Sequence, residues 1–330
     1  SLAIFGTALL LLRLLDRGGW RDAVWFGLAL GGALLTKFTA VLLLPLTLAQ
    51  VAAYVCWQRD WAVLPKRVAQ LVAGGLVAIL FINTMYGFAG FGSSLASQTY
   101  RSSMVQGLQS LPVIGDLPVP MPLPYIRGFD IVANNNRPGF PNIFLGRLYP
   151  QGESWWYYYL VALALKVPIP LLLAIGFGLG TLGSRRRDWG RLAVLAIPPV
   201  LMFANFSCVA FRQLGLRYIL PLWPFFMLAV GSGGYALRDR WRLPAVRIVC
   251  TVLAVWYAIG TLTTHPDYLS YFNEAAGGPR GGWRYLAVSN TDWGQDLPAL
   301  ARWQRNAGDP SMFVLYYGSA PLAAYGVQVQ

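Results

Sequence analysis

Residues Asp22 to Trp57 read DAVWFGLALGGALLTKFTAVLLLPLTLAQVAAYVCW, and how this stretch is laid out decides the fold. As a single helix it would extend about 52 Å at 1.5 Å per residue, well beyond the ~30 Å hydrocarbon core of a bilayer. A hairpin turning near Thr36-Lys37-Phe38-Thr39 fits the apolar length and gives two spans. The flanking charges agree, because a hairpin returns Arg17 and Arg21 to the same side as Arg59, Lys66 and Arg67.

Working outward, the same pattern recurs along the chain. Of its 330 residues 56% are hydrophobic and 12% charged, about half the charged fraction of a soluble domain. Candidate spans are 1–15, 22–36, 38–57, 68–86, 155–182, 192–211, 218–237 and 246–263, about eight in all. The expected class is therefore an all-α polytopic membrane protein. The loops 16–21, 58–67, 184–191 and 238–247 are short and densely basic, which by the positive-inside rule makes them cytoplasmic. The net charge of +13 thus reads as membrane orientation, and nucleic acid is excluded as a partner. Cys56, Cys208 and Cys250 all lie in apolar runs and offer neither a disulfide framework nor a paired metal-ligand spacing. The first run, Leu2 to Leu15, has no basic leader or cleavage site, so the chain reads as starting inside a membrane domain with sequence missing upstream.

Domain organisation follows from the loops. Residues 1–263 form a transmembrane domain that includes a long external loop, 87–154. Residues 264–330 form an external segment, expected to be truncated. Ser94–Leu111 has room for a short interfacial helix, and the prolines from Pro112 to Pro124 predict extended chain. Trp293–Asn306 predicts a helix, Asp309-Pro310 a turn and Met312–Tyr317 a strand, the start of a small α/β unit.

The candidate functional residues sit at the external boundary. Arg212 and Arg217 lie where outward-facing arginines are least expected, and a guanidinium suits bidentate phosphate binding; snorkelling to headgroups is the alternative. Lys37, at the hairpin tip, and Lys166, about eleven positions into the span from Trp155, either neutralise a lipid phosphate or snorkel. Glu153 precedes Trp155-Trp156-Tyr157-Tyr158-Tyr159, read as an interfacial aromatic belt whose rings can also stack on a sugar. His265, the one histidine, precedes Asp267, Asn273 and Glu274; if 267–274 is helical, Asp267 and Glu274 share a face and suit a divalent metal or acid–base work. Asn290 and Asp292 belong to a polar string, Ser289–Asp296, that caps a helix or contacts substrate. No dinucleotide fingerprint, Walker loop, zincin motif or nucleophile elbow is present.

Five segments carry a resemblance. They are Gly27-LALGGALLTKFTA, Gly152-ESWWYYY running to Leu165-KVPIP, Leu216-RYILPLWPF, Pro266-DYLSYFNE and Ser289-NTDWGQDL. In this order they resemble bacterial protein O-mannosyltransferase-like and ArnT-like membrane glycosyltransferases of the GT-C superfamily, over nearly the whole chain. The resemblance implies a GT-C-like fold and a donor sugar on a polyprenyl-phosphate carrier. It implies a glycan, lipid or protein acceptor, membrane lipids as partners, and an active face periplasmic or extracellular to a bacterial inner membrane. It admits a divalent cation and no other cofactor. Arg217 matches the family's arginine-aromatic-hydrophobic-leucine-proline stretch and Lys37 its Thr-Lys hairpin, both implied carrier-phosphate contacts with Arg212. Tyr125, Arg127, Asn134, Asn290 and Asp292 are implied sugar or acceptor contacts. The family's acidic catalytic loop has no counterpart here, so the principal carboxylate is expected upstream and the catalytic residue and metal ligands stay unassigned. A lipid-linked sugar transporter and a non-catalytic subunit of a glycosyltransferase complex are the competing readings.

Overall fold

The computed structural model describes residues 1–59, 61–136, 142–149, 153–184, 189–210, 213–308, 310–314 and 318–329. The protein is mostly helical and multi-span, with one two-stranded sheet among the described residues. Among the described residues five stretches are long and apolar enough to cross a membrane: Phe38–Gln58, Trp61–Met85, Trp189–Cys208, Leu220–Arg240 and Pro244–Thr263. The chain forms two compact units, Ser1–Arg137 with Leu179–Val209 and Ile219–Ser232, and Pro138–Gly178 with Ala210–Tyr218 and Gly233–Gln330.

In the first unit, α1 (Leu2–Arg17) and α2 (Trp20–Thr36) are joined by Gly18, whose left-handed backbone closes α1. At 16 and 17 residues they are shorter than the ~20 that a perpendicular crossing takes. The break expected at residues 36–39 is present: α2 stops at Thr36, Lys37 is extended, and a short 3₁₀ turn leads into α3 (Leu43–Gln58). The two arms then take different partners. α2 packs along α1 and α4 (Leu64–Met85), whereas α3 packs mainly on α9 (Trp189–Cys208). Gly27 and Gly74 set the α2–α4 approach, since a Cβ at Gly27 would overlap the Gly74 carbonyl oxygen.

Polar side chains fasten one end of this unit. Asp22, 6% exposed, takes Arg13 Nε at 2.7 Å, and Asp16 takes Arg191 Nε at 3.2 Å and the Tyr54 hydroxyl at 2.9 Å. Gln70 Nε2 donates to the Gly18 carbonyl at 2.8 Å. Contacts from 16–18, 67–70 and 191 therefore gather three of the four basic loops, or their edges, at one end of the bundle.

The long loop 87–154, where described, is more structured than its prolines predict. α5 (Ser103–Gln109) is capped by Ser102, and α6 (Leu123–Asn134) begins immediately after Pro122. Pro124 falls in the first turn of α6, where its missing N–H has no partner to lose, so the proline start of this helix costs little. The Asp130 carboxylate joins the two helices, accepting from Arg101 N, Ser102 N and Ser102 Oγ at 2.8, 2.8 and 2.6 Å. Burial raises its pKa, but these hydrogen bonds and the Arg101 charge outweigh it and hold the group below the usual carboxylate value.

In the second unit the stretch 155–182, expected as one span, is broken. α7 (Tyr158–Lys166) and α8 (Ile169–Ser184) meet at 119°. Pro168 explains the break: it removes a helical donor and its predecessor Val167 is extended, whereas Pro170 lies in the first turn of α8, where no helical donor is lost. Counted as one span, the pair is a sixth. β1 (Asn142–Phe144) and β2 (Arg147–Tyr149) form a hairpin turning on Leu145 and Gly146, both at positive φ. α10 (Trp223–Leu237) and α11 (Pro244–Thr263) are the last long helices, and α11 buries none of its residues against the protein. Past it come only short pieces, α12 (Gly278–Gly282) and α13 (Leu297–Asn306). Residues 312–314 form no strand, and 309 and 315–317 lie outside the described residues.

Because the Asp130 pKa is depressed on folding, its stabilisation is complete above about pH 4 and is lost as pH falls through the folded value. Amide exchange across 101–106 should therefore accelerate below about pH 4 in the wild type, and Asp130→Asn should show that looseness already at pH 7. Unchanged exchange in the variant would refute the carboxylate's role.

Candidate functional site

Parts of four of the five motif segments, including residues 216–218 of the third, meet in the second unit, around the bend between α7 and α8. Lys166, the last residue of α7, sends its Nζ to the carbonyls of Leu269, at 2.7 Å, and Asn290. The same ammonium lies 4.3 Å from the centre of the Phe272 ring. Lys166 thus spends two of its three donors inside the protein and ties two distant loops to the bend. Asn273, 1% exposed, completes the junction by donating from Nδ2 to the carbonyls that α7 cannot use, Ala164 at 2.6 Å and Val167 at 2.9 Å.

Tyr158 forms the second knot. Its hydroxyl accepts from Gly215 N at 3.1 Å and from Asn290 Nδ2 at 2.9 Å. Gln213 pairs with the Trp155 backbone in both directions, at 2.9 and 2.7 Å. The aromatic run is not a membrane-surface belt as expected. Tyr158 and Tyr159 are fully buried, and Trp155 stacks on Phe144 of the hairpin at 4.5 Å; Trp156 alone is largely exposed. These rings fill the core because a buried tyrosine hydroxyl can anchor loop donors that no regular element satisfies.

The network leads to Arg217. Its segment 213–218 is fixed by Gln213 and Gly215, and its guanidinium stacks on the Trp293 indole at 4.3 Å. That indole donates from Nε1 to the Ser289 carbonyl at 2.9 Å. Arg217 is exposed, and among the described residues it forms no ion pair with a carboxylate. Stacking orients a guanidinium without neutralising it. The arrangement can hold an anion.

The other expected residues fall as follows. Asn290 is 2% exposed and is a strut of the network; its Oδ1 is buried without a hydrogen-bond partner. Asp292 Oδ1 accepts from Gly294 N at 2.7 Å, turning the chain ahead of α13, whose N-cap is Asp296. Asp296 has a raised pKa, from burial first and then from the charges of Asp292 and Asp267. His265 Nδ1 lies 3.1 Å from the Tyr268 hydroxyl, and both His265 and Glu153 are exposed. Residues 267–274 are not one helix: 3₁₀ turns at Tyr268–Ser270 and Glu274–Ala276 flank extended chain, so Asp267 and Glu274 share no helical face. Among the described residues no group of three or more His, Cys, Asp or Glu is arranged to hold a metal ion. Phe272 also lines a cavity of about 360 Å³ with Thr263, Thr264, Tyr271 and Glu274. Burial, then the Glu274 charge, pushes the Tyr271 hydroxyl up to about 12, so it stays a donor. Arg212 lies outside the described residues.

Lys37, Tyr125, Arg127 and Asn134 belong to the first unit. Lys37 is exposed at the α2 break, and the adjacent Phe38 packs on Tyr125 at 5.2 Å and Phe129 at 6.5 Å of α6. Gly128 permits this, since a Cβ there would strike the Phe38 ring. Tyr125 is buried, its pKa raised by burial to about 12, and its hydroxyl donates to Leu34 O at 3.4 Å. It is packing, not an open contact. Arg127 is exposed and bonded to Gln98 Oε1; Asn134 is half-buried at the end of α6.

Sequence reading missed Tyr158, Gln213, Asn273 and Trp293 as connectors. Asn273 left a signal, a buried-type amide between Phe272 and Glu274, but its partners lie more than a hundred positions away. Comparison of the chain with family models, with curated proteins and with solved structures finds no match.

Removing the Tyr158 hydroxyl strands two buried donors, at about 1–3 kcal/mol each. Tyr158→Phe should lower the thermal unfolding midpoint in detergent and open 213–218 and 287–293 to proteolysis together. Opening of one segment without the other would argue against a shared knot.

Proposed function

We propose that the protein transfers a sugar from a polyprenyl-phosphate carrier to a hydroxyl or amine of a glycan, lipid or protein acceptor. The observation that carries this reading is Arg217: an exposed guanidinium, stacked on Trp293 and unpaired with any described carboxylate, held by loops from four motif segments. A carrier phosphate gains negative charge as the sugar leaves, and a pre-oriented guanidinium stabilises that charge without reorganising. The apolar helix α7, which packs on the segment of Arg217, suits a polyprenyl tail.

The finer architecture belongs to the same proposal. In it the fold is GT-C-like with about eight spans, α1 and α2 crossing as short helices. The gathered basic loops face the cytoplasm and Arg217 faces the periplasm or exterior of a bacterial inner membrane, which the positive-inside rule favours. Glu153, His265, Asp267 and Asp292, all in the second unit with Arg217, are the acceptor-side contacts in this reading, and Lys37 stays a separate phosphate candidate of the first unit. No residue of this sequence is assigned as the base.

Loss of one charge-assisted contact is worth about 1.5–3 kcal/mol, roughly a 10- to 150-fold change. Arg217→Ala should weaken binding of a short-chain polyprenyl phosphate to the detergent-purified protein at least tenfold and reduce sugar transfer in parallel. Arg217→Lys should retain part of the affinity, since charge remains and the planar fork does not. Wild-type binding by Arg217→Ala would overturn the phosphate role. Copurification with an active glycosyltransferase, with no carrier binding by this chain, would favour an accessory subunit.

A further inference from the structure

The external loop of the first unit contains a surface that the proposed reaction does not use. Between Arg101 and Arg127 the sole charged residue is Asp116. Within this stretch Met104, Leu108, Leu111, Val113, Ile114 and Leu117 are all exposed. They are surplus to the loop's own core, which is built from Leu95, Tyr100 and Val105 with Val119, Ile126 and Phe129 packed against it. A water-facing loop of this length would carry several charges.

The tip is held rigidly. Gln109 Nε2 donates to the carbonyls of Leu95 at 3.1 Å and Gln98 at 2.8 Å, and Ala96 N donates to Gly115 O at 2.8 Å. Val113 is the strained point: a β-branched residue at φ +73°, its side chain 69% exposed. Such a conformation persists only where the surroundings fix it, and here Asp116 N and Leu117 N both donate to the Val113 carbonyl. The strain serves no internal packing and turns an isopropyl group outward.

The patch is also continuous with a span. Residues 89–94 pair back along 118–123, through Leu123 N to Ala89 O, Gly92 N to Val119 O and the Ser94–Pro118 bridge. This ladder leads down to the end of α4, where Met85, Phe88 and Phe91 are exposed in turn. α4 lies in one of the five candidate spans.

We propose that the tip from Met104 to Leu117 is a membrane anchor that docks into the headgroup–acyl boundary of the leaflet reached by the Met85 end of α4. The near absence of charge, the outward apolar side chains and the continuity with α4 all select lipid as the occupant. Shallow insertion of a few apolar side chains from a rigid platform is the mode expected, rather than another crossing. The anchor would hold α6, and with it the Phe38–Tyr125 contact beside Lys37, at a fixed height above the bilayer.

The test uses the full chain with Cys56, Cys208 and Cys250 replaced by serine, in liposomes of phosphatidylethanolamine and phosphatidylglycerol. An environment-sensitive fluorophore is attached at Val113→Cys and, as control, at Asn136→Cys on the exposed end of the loop. The label at 113 should be blue-shifted and quenched at least threefold more than the label at 136 by lipids carrying a shallow nitroxide. Equal, solvent-like behaviour at the two positions would overturn the proposal. So would a blue-shifted label at 113 that nitroxide lipids do not quench, because a second copy or another protein would then cover the tip. Ile114→Asp, with a label at 113, should lose the quenching while the thermal unfolding midpoint stays that of the wild type, since the Ile114 side chain is exposed.

Discussion

An ammonium drawn partly out of water needs acceptors in place of the solvent it loses, and the half-buried Lys166 meets that demand with two backbone carbonyls and an aromatic face. Pro168, behind the extended Val167, ends α7 at that residue, and the chain turns by 119° into α8, so the helix tip stays open to other segments. The Leu269 and Asn290 loops have no regular partners for those carbonyls. Lysine and loops satisfy one another, and Tyr158 and Asn273 do the same for the donors and acceptors left around them. The position of Arg217 on Trp293 depends on this arrangement, because Trp293 hangs from the Ser289 carbonyl in the same loop.

The first unit obeys a different constraint. Its helices find no hydrophobic drive toward one another in lipid, so small residues and polar links set the contacts. Gly27 against Gly74 brings α2 onto α4, and Gln50 reaches from α3 to the Val194 carbonyl of α9 at 3.0 Å. Ion pairs of Asp16 and Asp22 and the Gln70–Gly18 bond close the basic end. At the far end of α2 the break at Lys37 is covered by α6. The two ends thus differ in chemistry, one charged and tied, the other aromatic and capped by a loop.

Much of this was legible in the chain. The multi-span class followed from the apolar runs, the break near residue 37 from helix length, and the grouping of basic loops from their spacing. Arg217 stood out because an outward arginine between spans needs a reason. Other readings failed for identifiable causes. The run Trp155–Tyr159 has the composition of a belt, yet composition cannot tell a ring facing headgroups from one facing a hairpin, and Phe144 turned it inward. The prolines of 112–124 suggested extended chain, but Pro124 in a first helical turn is compatible with α6. For Lys166 the sequence left phosphate contact and snorkelling open and did not show its loop partners, because main-chain carbonyls are possessed by every residue and marked by no sequence pattern.

By itself, then, the sequence determined the solvent. Its hydropathy and charge placement require a membrane, because runs of apolar residues between basic loops have no stable place in water, and that follows from residue type alone. It also determined where helices must break, since proline chemistry is local. The tertiary structure alone decided which breaks face which loops. Hydrogen bonds from Lys166, Tyr158 and Asn273 span more than a hundred residues, and their geometry depends on packing that local preference does not encode.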